Sequence, residues 1–348
     1  MKNYMMNSLE ISKYILESVT AHKPIGLPSY ISQDKFLNIA DKNNLLLAVI
    51  DKFQKKSAFS SEFYSKYHYY KNFYMNSSSL IEEMIQNCNK NKLPLLTIKS
   101  FLPFPFADSN IDLVAIERRN ILKYQSIIKQ MNFKRKRNLA DLREPDKKMY
   151  YKNSQNRLLP KLHLHKQISW NGVTYLNLDT IWARSQWRKD LNHGFEIPVP
   201  SPEDELLIIA AHSLFENKYI TLCDLAHLIC IFKNDLDWDY TLKAAEEYHW
   251  SQGFLEFTAT AMELLKDMGF NLNVEAKLST PIRLKPDDHF PILLPFSKTI
   301  KITANKLFRD FASRNIERLP RELLSYIVVE PFWMYYKGIK KKRSATIK

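Results

Sequence analysis

The feature that most constrains this chain is an aspartate inside a short apolar run. Asp112 is flanked by Ile111 and by Leu113-Val114, and residues 110–116 have the length and composition of a buried strand. A carboxylate buried without a partner is unfavourable by several kcal/mol. The fold must therefore bring a cation or a hydrogen-bond donor to Asp112, which predicts an ion pair or a binding site in the interior.

Further strands are predicted on both sides of this one. Residues 93–98 form an apolar run typical of a buried strand, and residues 161–170 alternate so that His163 and His165 share one face. Helical spacing of apolar residues separates the two later strands, over residues 119–131. Asn171-Gly172 predicts a hairpin turn into another strand, because this dipeptide suits a two-residue turn. Together these segments predict a small mixed sheet.

Helical patterns dominate both ends of the chain. Residues 1–90 carry apolar residues at helical spacing, and the aromatic-rich stretch 63–73 is more typical of a packed helix than of a base-stacking surface. Residues 183–200 are polar and end in prolines, which is typical of a linker. Ser201-Pro202 followed by acids predicts a helix start, and further helices are expected up to residue 268.

Composition narrows the functional classes. The net charge of +14 favours a polyanionic neighbour, namely nucleic acid, a nucleotide or an anionic membrane, although a generally basic proteome gives the same value. Six glycines and the absence of G-x-G-x-x-G and Walker motifs argue against Gly-rich phosphate loops. Three cysteines without a C-x-x-C pair suit a reducing compartment. With no signal peptide and no long apolar run, we expect a cytoplasmic protein without a transmembrane segment.

Two basic segments allow more than one interpretation. Lys134–Arg137 either rims a cleft or forms a solvated loop, and the loop is the commoner case. Residues 298–343 combine apolar and aromatic residues with a basic end. They predict either peripheral contact with an anionic membrane or a docked terminal helix with a basic end, and the second interpretation is slightly preferred.

The central motifs resemble a known fold. The run LPLLTIKSFLPFPFADSNIDLVAI has the order of strand, small-residue turn and acidic strand that opens the nucleotidyltransferase fold of polymerase β-like proteins, with Lys99-Ser100 at the turn. Farther on stand KLHLHKQISWNGVTY, SPEDELLIIAAHSLFE and ITLCDLAHL. In this order the motifs are similar to those of the uncharacterised nucleotidyltransferase family, over about residues 90–250.

The resemblance implies metal-assisted transfer of a nucleoside monophosphate from a nucleoside triphosphate to an acceptor, RNA or protein. In that fold, two carboxylates at alternate positions of one strand and a third from a neighbouring strand hold divalent ions, Mg²⁺ or Mn²⁺. It assigns metal binding and catalysis to Asp112, and contacts with the nucleotide to Lys99, Ser100 and Ser109.

The chain departs from the family pattern at two ligand positions. Asn110 stands where the first acid is expected and His163 where the third is expected; Asp108 and Asp141 are the candidates to replace them. In one interpretation Asp112, Asn110 and His163 form an active catalytic site. In a second, the core is catalytically inactive and binds RNA or a protein partner. In a third, Asp112, His163 and His165 hold a softer metal such as zinc, although paired strand histidines alone are more typical of a hydrogen-bonded face.

The helical part adds candidates for the same cleft. By the resemblance, His212 and Asp224 belong to the nucleotide-binding residues. His212 lies four residues before Glu216, and Asp224 lies three before His227, so each pair shares a helix face. The pairs are predicted to be either a polar link to the cleft or buried structural contacts.

We therefore predict an α+β fold, in which a small mixed nucleotidyltransferase-type sheet is flanked by an N-terminal helical segment and a C-terminal helical domain. The predicted divisions are an N-terminal helical segment at 1–90, an α/β core at 91–182, a helical domain at 183–280 and a basic amphipathic tail at 281–348. Whether the core is an enzyme or an inactive binding module stays open at the level of sequence.

Overall fold

The architecture is α+β, as predicted. The computed structural model describes residues 2–21, 27–53, 60–136, 144, 146–152, 159–170, 173–272, 279–284 and 290–312. Within them, a mixed five-stranded sheet is preceded in sequence by helices and followed by further helices. One continuous cluster of buried apolar side chains connects the helices to the sheet.

Four helices precede the sheet. They are α1 (Lys2–Thr20), α2 (Gln33–Lys42), α3 (Leu46–Lys52) and α4 (Ser61–Lys90). The aromatic-rich stretch lies in α4, where Phe63, Tyr67 and Phe73 are buried while Tyr64 and Tyr69 are exposed. The larger part of this stretch therefore packs into the core, in agreement with the helical interpretation.

The five strands of the main sheet follow. They are β1 (Leu95–Ile98), β2 (Asn110–Ala115), β3 (Lys134–Lys136), β4 (Lys147–Tyr151) and β5 (Lys161–His165), in the spatial order β1-β2-β5-β4-β3. Only β2 and β5 pair in parallel within this sheet; helix α5 (Ile121–Gln130) lies in the connection between them.

Strand register places the polar residues on one face. Asp112 is the direct partner of His163, and His165 is the direct partner of Lys147. Because side chains alternate along a strand, residues two apart and residues directly opposite point to the same side of the sheet. Asp112, His163, His165 and Lys147 therefore share one face across three neighbouring strands.

Two sequence interpretations of connecting segments are wrong. Lys134–Lys136 is not a loop but the edge strand β3, which pairs with β4; Arg137 lies outside the described residues. An exposed lysine on an edge strand, such as Lys134, discourages pairing with another sheet, so charge there does not exclude a strand. β3 is separated from β5 by β4, which places it away from Asp112.

The predicted linker at 183–200 instead contains a hairpin. After α6 (Leu178–Ala183), strands β8 (Gln186–Lys189) and β9 (Glu196–Val199) pair antiparallel, and β9 packs against β1. Gly194 has a φ of +72°, a conformation that glycine adopts without the strain of a side chain. The predicted hairpin at 171–172 is flanked by the paired strands β6 (Ser169–Trp170) and β7 (Val173–Thr174), and its two turn residues lie outside the described ones.

The C-terminal part is helical. Its elements are α7 (Pro202–Ala211), a π-helix (His212–Asn217), α8 (Leu222–Ile231), α9 (Trp238–Glu247), α10 (Ser251–Asp267) and α11 (Phe296–Ala312), with a small pair of strands, β10 (Tyr219–Ile220) and β11 (Ile292–Leu293). The start of α7 is as predicted, because the Ser201 hydroxyl accepts a hydrogen bond from the N–H of Asp204.

The predicted tail is described only in part. Residues from 313 onward, which include its basic end, lie outside the described residues. In the part of the chain that the structure describes, every helix is too short or too polar to cross a membrane.

Candidate functional site

A cavity of about 410 Å³ opens beside the polar face of the sheet. One wall comes from the sheet and from the β1–β2 connection, and carries Lys99, Asp108, Asn110, Asp112, Lys147 and His163. The facing wall comes mainly from the C-terminal helices, and carries Glu205, His212, Glu216, Asp224 and His227. The cavity thus lies where the α/β core meets the helical part, and both contribute ionisable groups to it.

Asp112 is fully buried and has partners on both of its oxygens. His163 Nδ1 lies 3.1 Å and His165 Nε2 lies 2.7 Å from Oδ1, while Lys99 Nζ lies 3.5 Å from Oδ2. An ionised carboxylate only accepts hydrogen bonds, so both ring nitrogens that face Oδ1 must carry their proton. The sequence predicted that this buried acid needs a cation or a hydrogen-bond donor. The structure supplies two imidazoles and one ammonium.

The connection between β1 and β2 places Lys99 and Ser100 next to Asp112. Lys99 adopts a φ of 56°, which is rare for a residue with a side chain, and its ammonium reaches Asp112. The Ser100 hydroxyl accepts a hydrogen bond at 3.3 Å from the backbone N–H of Asp112. Ser100 therefore stabilises the contact of the connection with β2. It is not among the residues that line the cavity.

The ionised state of the site follows from these contacts. Burial alone would raise the pKa of Asp112, but Lys99, His163 and His165 hold this pKa well below its usual value. Burial lowers the pKa of Lys99, yet the carboxylates of Asp112 and Glu216 more than compensate, so this pKa is raised. Burial lowers the pKa of His165. At neutral pH the cluster therefore contains a carboxylate, an ammonium and a neutral His165.

A second ion pair joins the sheet to the helical part. Lys147 Nζ lies 3.7 Å from Glu216 Oε1 and also contacts Glu144, while His212 Nε2 lies 3.1 Å from Glu216 Oε2. Burial opposes the charge on both partners, but Glu216 and Glu144 raise the pKa of Lys147, and Lys147 and His212 hold the pKa of Glu216 well below its usual value. The predicted contact between His212 and Glu216 thus links the cleft to the sheet.

A third network closes the far side of the cavity. Arg188 donates two hydrogen bonds to Glu205, at 3.0 and 2.8 Å, and a third at 3.1 Å to the carbonyl of Phe101. His227 Nε2 lies 3.1 Å from Glu205 Oε2. Burial raises the pKa of Glu205, but His227 and Arg188 outweigh it and lower this pKa to about 2. This carboxylate is fully ionised and saturated with donors.

The structure gathers six of the nine predicted site residues around the cavity. These six are Lys99, Asn110, Asp112, His163, His212 and Asp224, whereas Ser100, Ser109 and His165 do not line it. Ser109 is exposed and donates its hydroxyl to Asn110 at 2.8 Å. Asp108 is half-buried at the cavity, and burial and the nearby Asp112 raise its pKa. Asp141, the other candidate acid, lies outside the described residues.

Asp224 and His227 are not partners of each other. Asp224 forms a capping box with Thr221 at the start of α8, where its carboxylate accepts from the N–H and the hydroxyl of Thr221 at 2.8 and 2.7 Å. His227 turns to Glu205 instead. The three-residue spacing correctly predicted that Asp224 and His227 share a helix face, but not their partners. Asp224 bonds to Thr221 at the start of the helix, and His227 bonds to Glu205 on another helix.

Two groups that line the cavity, and the arginine that pairs with one of them, had no signal in the sequence. Lys147 belongs to a strand that was not predicted, and Glu205 was an acid in the first turn of a helix, where acids are common for their effect on the helix dipole. Arg188 lay in the supposed linker. Among 51 lysines and arginines, no local pattern marks the few that fold inward.

The donor set of the Asp112 cluster suits a metal ion. Asp112, His163 and His165 each offer one ligand atom, all within 4.8 Å of one another, and all three residues are buried. In addition, His163 Nε2 is buried and has no hydrogen-bond partner among the residues that the structure describes. One carboxylate and two imidazoles are a common set for transition metals, whereas Mg²⁺ prefers oxygen ligands only. The residues therefore fit a divalent cation, and they fit Mg²⁺ least well.

Comparison with known proteins gives a family match for the middle of the chain. No curated protein and no solved structure matches the chain. Residues 108–266 match the family described as an uncharacterised nucleotidyltransferase. The matched region begins four residues before Asp112 and ends within α10, so it contains β2, β5 and the helices on the facing wall. The resemblance found in the sequence is thus confirmed over residues 108–266, which are similar to the uncharacterised nucleotidyltransferase family.

Proposed function

We propose that this chain transfers a nucleoside monophosphate from a nucleoside triphosphate to an acceptor hydroxyl. The observation that carries the proposal is the cavity itself, where Asp112 and two half-buried lysines, Lys99 and Lys147, meet beside strand β2 of the matched region. In the reaction, the acceptor oxygen forms a bond to the α-phosphorus and the bond to pyrophosphate breaks. The hydroxyl proton is released, and the products are the nucleotidylated acceptor and pyrophosphate.

The two lysines are suited to hold the triphosphate. Lys99 Nζ lies 3.5 Å from Asp112 Oδ2, and Lys147 Nζ lies 3.7 Å from Glu216 Oε1 and also contacts Glu144, so ion pairs hold both ammonium groups at the cavity wall. Phosphate oxygens accept hydrogen bonds from ammonium groups as carboxylates do. We infer that the arriving phosphates take over part of these contacts, which would leave the lysines in place while changing their partners.

Charge in the cavity supports a requirement for divalent cations. Asp108, Asp112, Glu205, Glu216 and Asp224 line the cavity together with two lysines, so carboxylates outnumber ammonium groups there. A triphosphate adds further negative charge and would be repelled without cations. A divalent ion held by Asp112 with His163 and His165 would neutralise phosphate charge when bound. Mg²⁺ or Mn²⁺, as the resemblance implies, would also enter as the complex with the triphosphate.

The rest of the wall offers room for the uncharged part of a substrate. Leu102, Phe106, Ile208 and Ile209 line the cavity with apolar surface. A nucleobase or the body of the acceptor can pack against such a surface. RNA and protein are the acceptors to test first, in line with the basic charge of the chain.

The test is transfer of label from α-labelled nucleoside triphosphates. Purified protein is incubated with each nucleotide, with Mg²⁺, Mn²⁺, Co²⁺ or Zn²⁺, and with cellular RNA or protein extract. We expect labelled acceptor and pyrophosphate, and we expect Asp112→Asn to lower the rate at least about 100-fold, as for the loss of a charge that acts on the transition state. Asp235→Asn, at an exposed position, is the matched control and keeps the parental rate.

A different outcome would select the non-catalytic function. Its support in the structure is the complete set of partners on Asp112, which leaves a single carboxylate at the β2 position. If no nucleotide and no metal gives transfer, but the protein retains RNA or a protein partner from the same extract, the core is a binding module. Transfer that Asp112→Asn leaves unchanged would also contradict the catalytic proposal.

A further inference from the structure

The two oxygens of Asp112 face different kinds of partner. Oδ1 faces the two imidazoles, at 3.1 Å from His163 Nδ1 and 2.7 Å from His165 Nε2. Among the described residues, Oδ2 faces only Lys99, at 3.5 Å. A cation could therefore join Oδ1 to the two ring nitrogens without displacing the ammonium from Oδ2, provided that each of these nitrogens gives up its proton to the other nitrogen of its ring or to solvent.

The spacing of the three ligand atoms is close to that of a metal site. Metal bonds to imidazole and carboxylate of about 2.0–2.2 Å place neighbouring ligand atoms roughly 3.0–3.5 Å apart, in octahedral or tetrahedral geometry. The observed separations from Oδ1 are 3.1 and 2.7 Å. The two ring nitrogens lie within 4.8 Å of each other, so an ion bound to all three atoms would be accommodated by side-chain movements without a change of strand pairing.

Strand pairing fixes this arrangement. Asp112 and His163 are direct partners in the parallel pair of β2 and β5, and His165 follows two residues later on the same face. All three side chains are buried, so neither exposed loops nor surface charges create the cluster. A set of ligands held by central strands is better ordered than one on loops.

We propose that Asp112, His163 and His165 form a three-ligand site that selects a transition-metal ion of the zinc or cobalt class over Mg²⁺. The selectivity follows from the ligands: imidazole nitrogen binds Co²⁺ and Zn²⁺ strongly, whereas Mg²⁺ requires oxygen. Three protein ligands leave a coordination position for water or substrate, as in catalytic zinc sites. Asp112 and His163 line the cavity, so this position is on the side where substrate would enter.

This inference names the ion of the site used in the proposed function, but its test does not depend on activity. The protein is treated with a chelator, dialysed, and titrated with Co²⁺, Zn²⁺ and Mg²⁺, with metal content measured by elemental analysis. We expect one Co²⁺ or Zn²⁺ per chain, bound roughly 1,000-fold more tightly than Mg²⁺. Bound Co²⁺ should show the visible absorption of a site with four or five ligands, and Mg²⁺ in excess should not remove it.

Variants locate the ion. His163→Gln and His165→Gln should each weaken Co²⁺ binding at least about 100-fold, because each removes one of three ligands. His68→Gln, at an exposed position on α4, removes a histidine elsewhere and should leave binding unchanged. Circular dichroism and the melting temperature show whether each variant is folded. If a variant fails to fold, the Co²⁺ spectrum of the parent protein still shows whether a site with nitrogen and oxygen ligands is present.

The results separate this inference from the proposed function. Absence of stoichiometric Co²⁺ or Zn²⁺ binding, or binding that both histidine variants retain, would overturn the metal assignment even if Mg²⁺ supports transfer. Equal competition by Mg²⁺ would overturn the selectivity. Conversely, a Co²⁺ site that depends on His163 and His165 stands even if no nucleotide is transferred, in which case the transfer reaction alone fails.

Discussion

Two buried carboxylates of this molecule have the same kinds of partner but different geometry. Glu205, on α7, has a bidentate arginine at 3.0 and 2.8 Å together with His227. Asp112, on β2, has two histidines on one oxygen and a lysine at 3.5 Å from the other. The Glu205 network is closed, because both oxygens accept short bonds from a rigid guanidinium, whereas the Asp112 network keeps a loose cation and converging ring nitrogens.

The difference separates a structural ion pair from a candidate binding site. A bidentate Arg–carboxylate pair fixes both partners and leaves little capacity for a ligand. A flexible ammonium at a longer distance can exchange its partner at little cost, and converging imidazoles can share a metal. Burial and charge alone would not distinguish the two networks, since both acids are almost inaccessible and both line the same cavity.

The strongest test of the closed network is Arg188→Ala. This change leaves Glu205 as a buried charge whose remaining partner is His227, and also removes the bond to the Phe101 carbonyl. We expect the free energy of unfolding to fall by about 3–5 kcal/mol, the range for breaking one side of a buried pair. Chemical denaturation followed by circular dichroism measures this.

Arg118→Ala provides the matched control for that experiment. Arg118 is half-exposed and lies 3.7 Å from the exposed Asp179, so its loss should change stability by less than about 1 kcal/mol. Equal effects of the two arginine variants would mean that the Glu205 network is not the structural clamp described above.

A second test uses the pH dependence of Glu205. Since its pKa is lowered from 4.5 to about 2 in the folded state, its charge stabilises the fold above pH 4.5, and this contribution is lost as pH falls towards 2. The stability difference between the parent and Glu205→Gln should be roughly 3 kcal/mol at pH 7, then about 1 kcal/mol smaller at pH 4 and about 2 kcal/mol smaller at pH 3. Urea unfolding at these three values measures it. A difference that stays constant with pH would show that the charge of Glu205 is not what stabilises the fold.

The smallest expected effect concerns the loose cation. Lys99→Met should lower the free energy of unfolding by only about 1–2 kcal/mol, because His163 and His165 still donate to Asp112. Added Co²⁺ should raise the melting temperature of this variant more than that of the parent, since the carboxylate has lost its competing ammonium. Thermal unfolding with and without Co²⁺ measures both quantities. Lys161→Met, at an exposed position on β5, is the control and should behave as the parent. If Lys99→Met lowers the free energy of unfolding as much as Arg188→Ala does, the Asp112 and Glu205 networks do not differ in the way described above.

Local sequence patterns were sufficient to predict most helices and strands. They also predicted the strands that carry Asp112, His163 and His165. The apolar run around Asp112, the alternation at His163 and His165 and the cap at Ser201 each depend on near neighbours in sequence, and the structure has a strand, a strand and a helix start at these places. The alternation also predicted that both histidines share a face. Such signals need no knowledge of how distant segments pair.

The remainder depends on long-range pairing. Asp112 and His163 are 51 residues apart and meet because β2 and β5 pair in parallel, in a register that no local pattern specifies. Lys147 joins them from an unpredicted strand, since a lysine that folds inward has the same local sequence signal as one in solvent. The hairpin at 186–199 was missed because a glycine and two prolines are typical of both a linker and a turn.

The backbone at the β1–β2 connection has a consequence for redesign of this protein. Lys99 and Phe101 adopt φ values of 56° and 51°, and a left-handed conformation typically costs a residue with a side chain roughly 1–2 kcal/mol. Glycine at position 99 would relieve this strain, but it would also remove the ammonium beside Asp112, and the loss of that contact lowers stability by a similar amount. Backbone strain and the ion pair therefore offset each other at this position, and sequence optimisation of this chain should keep the lysine.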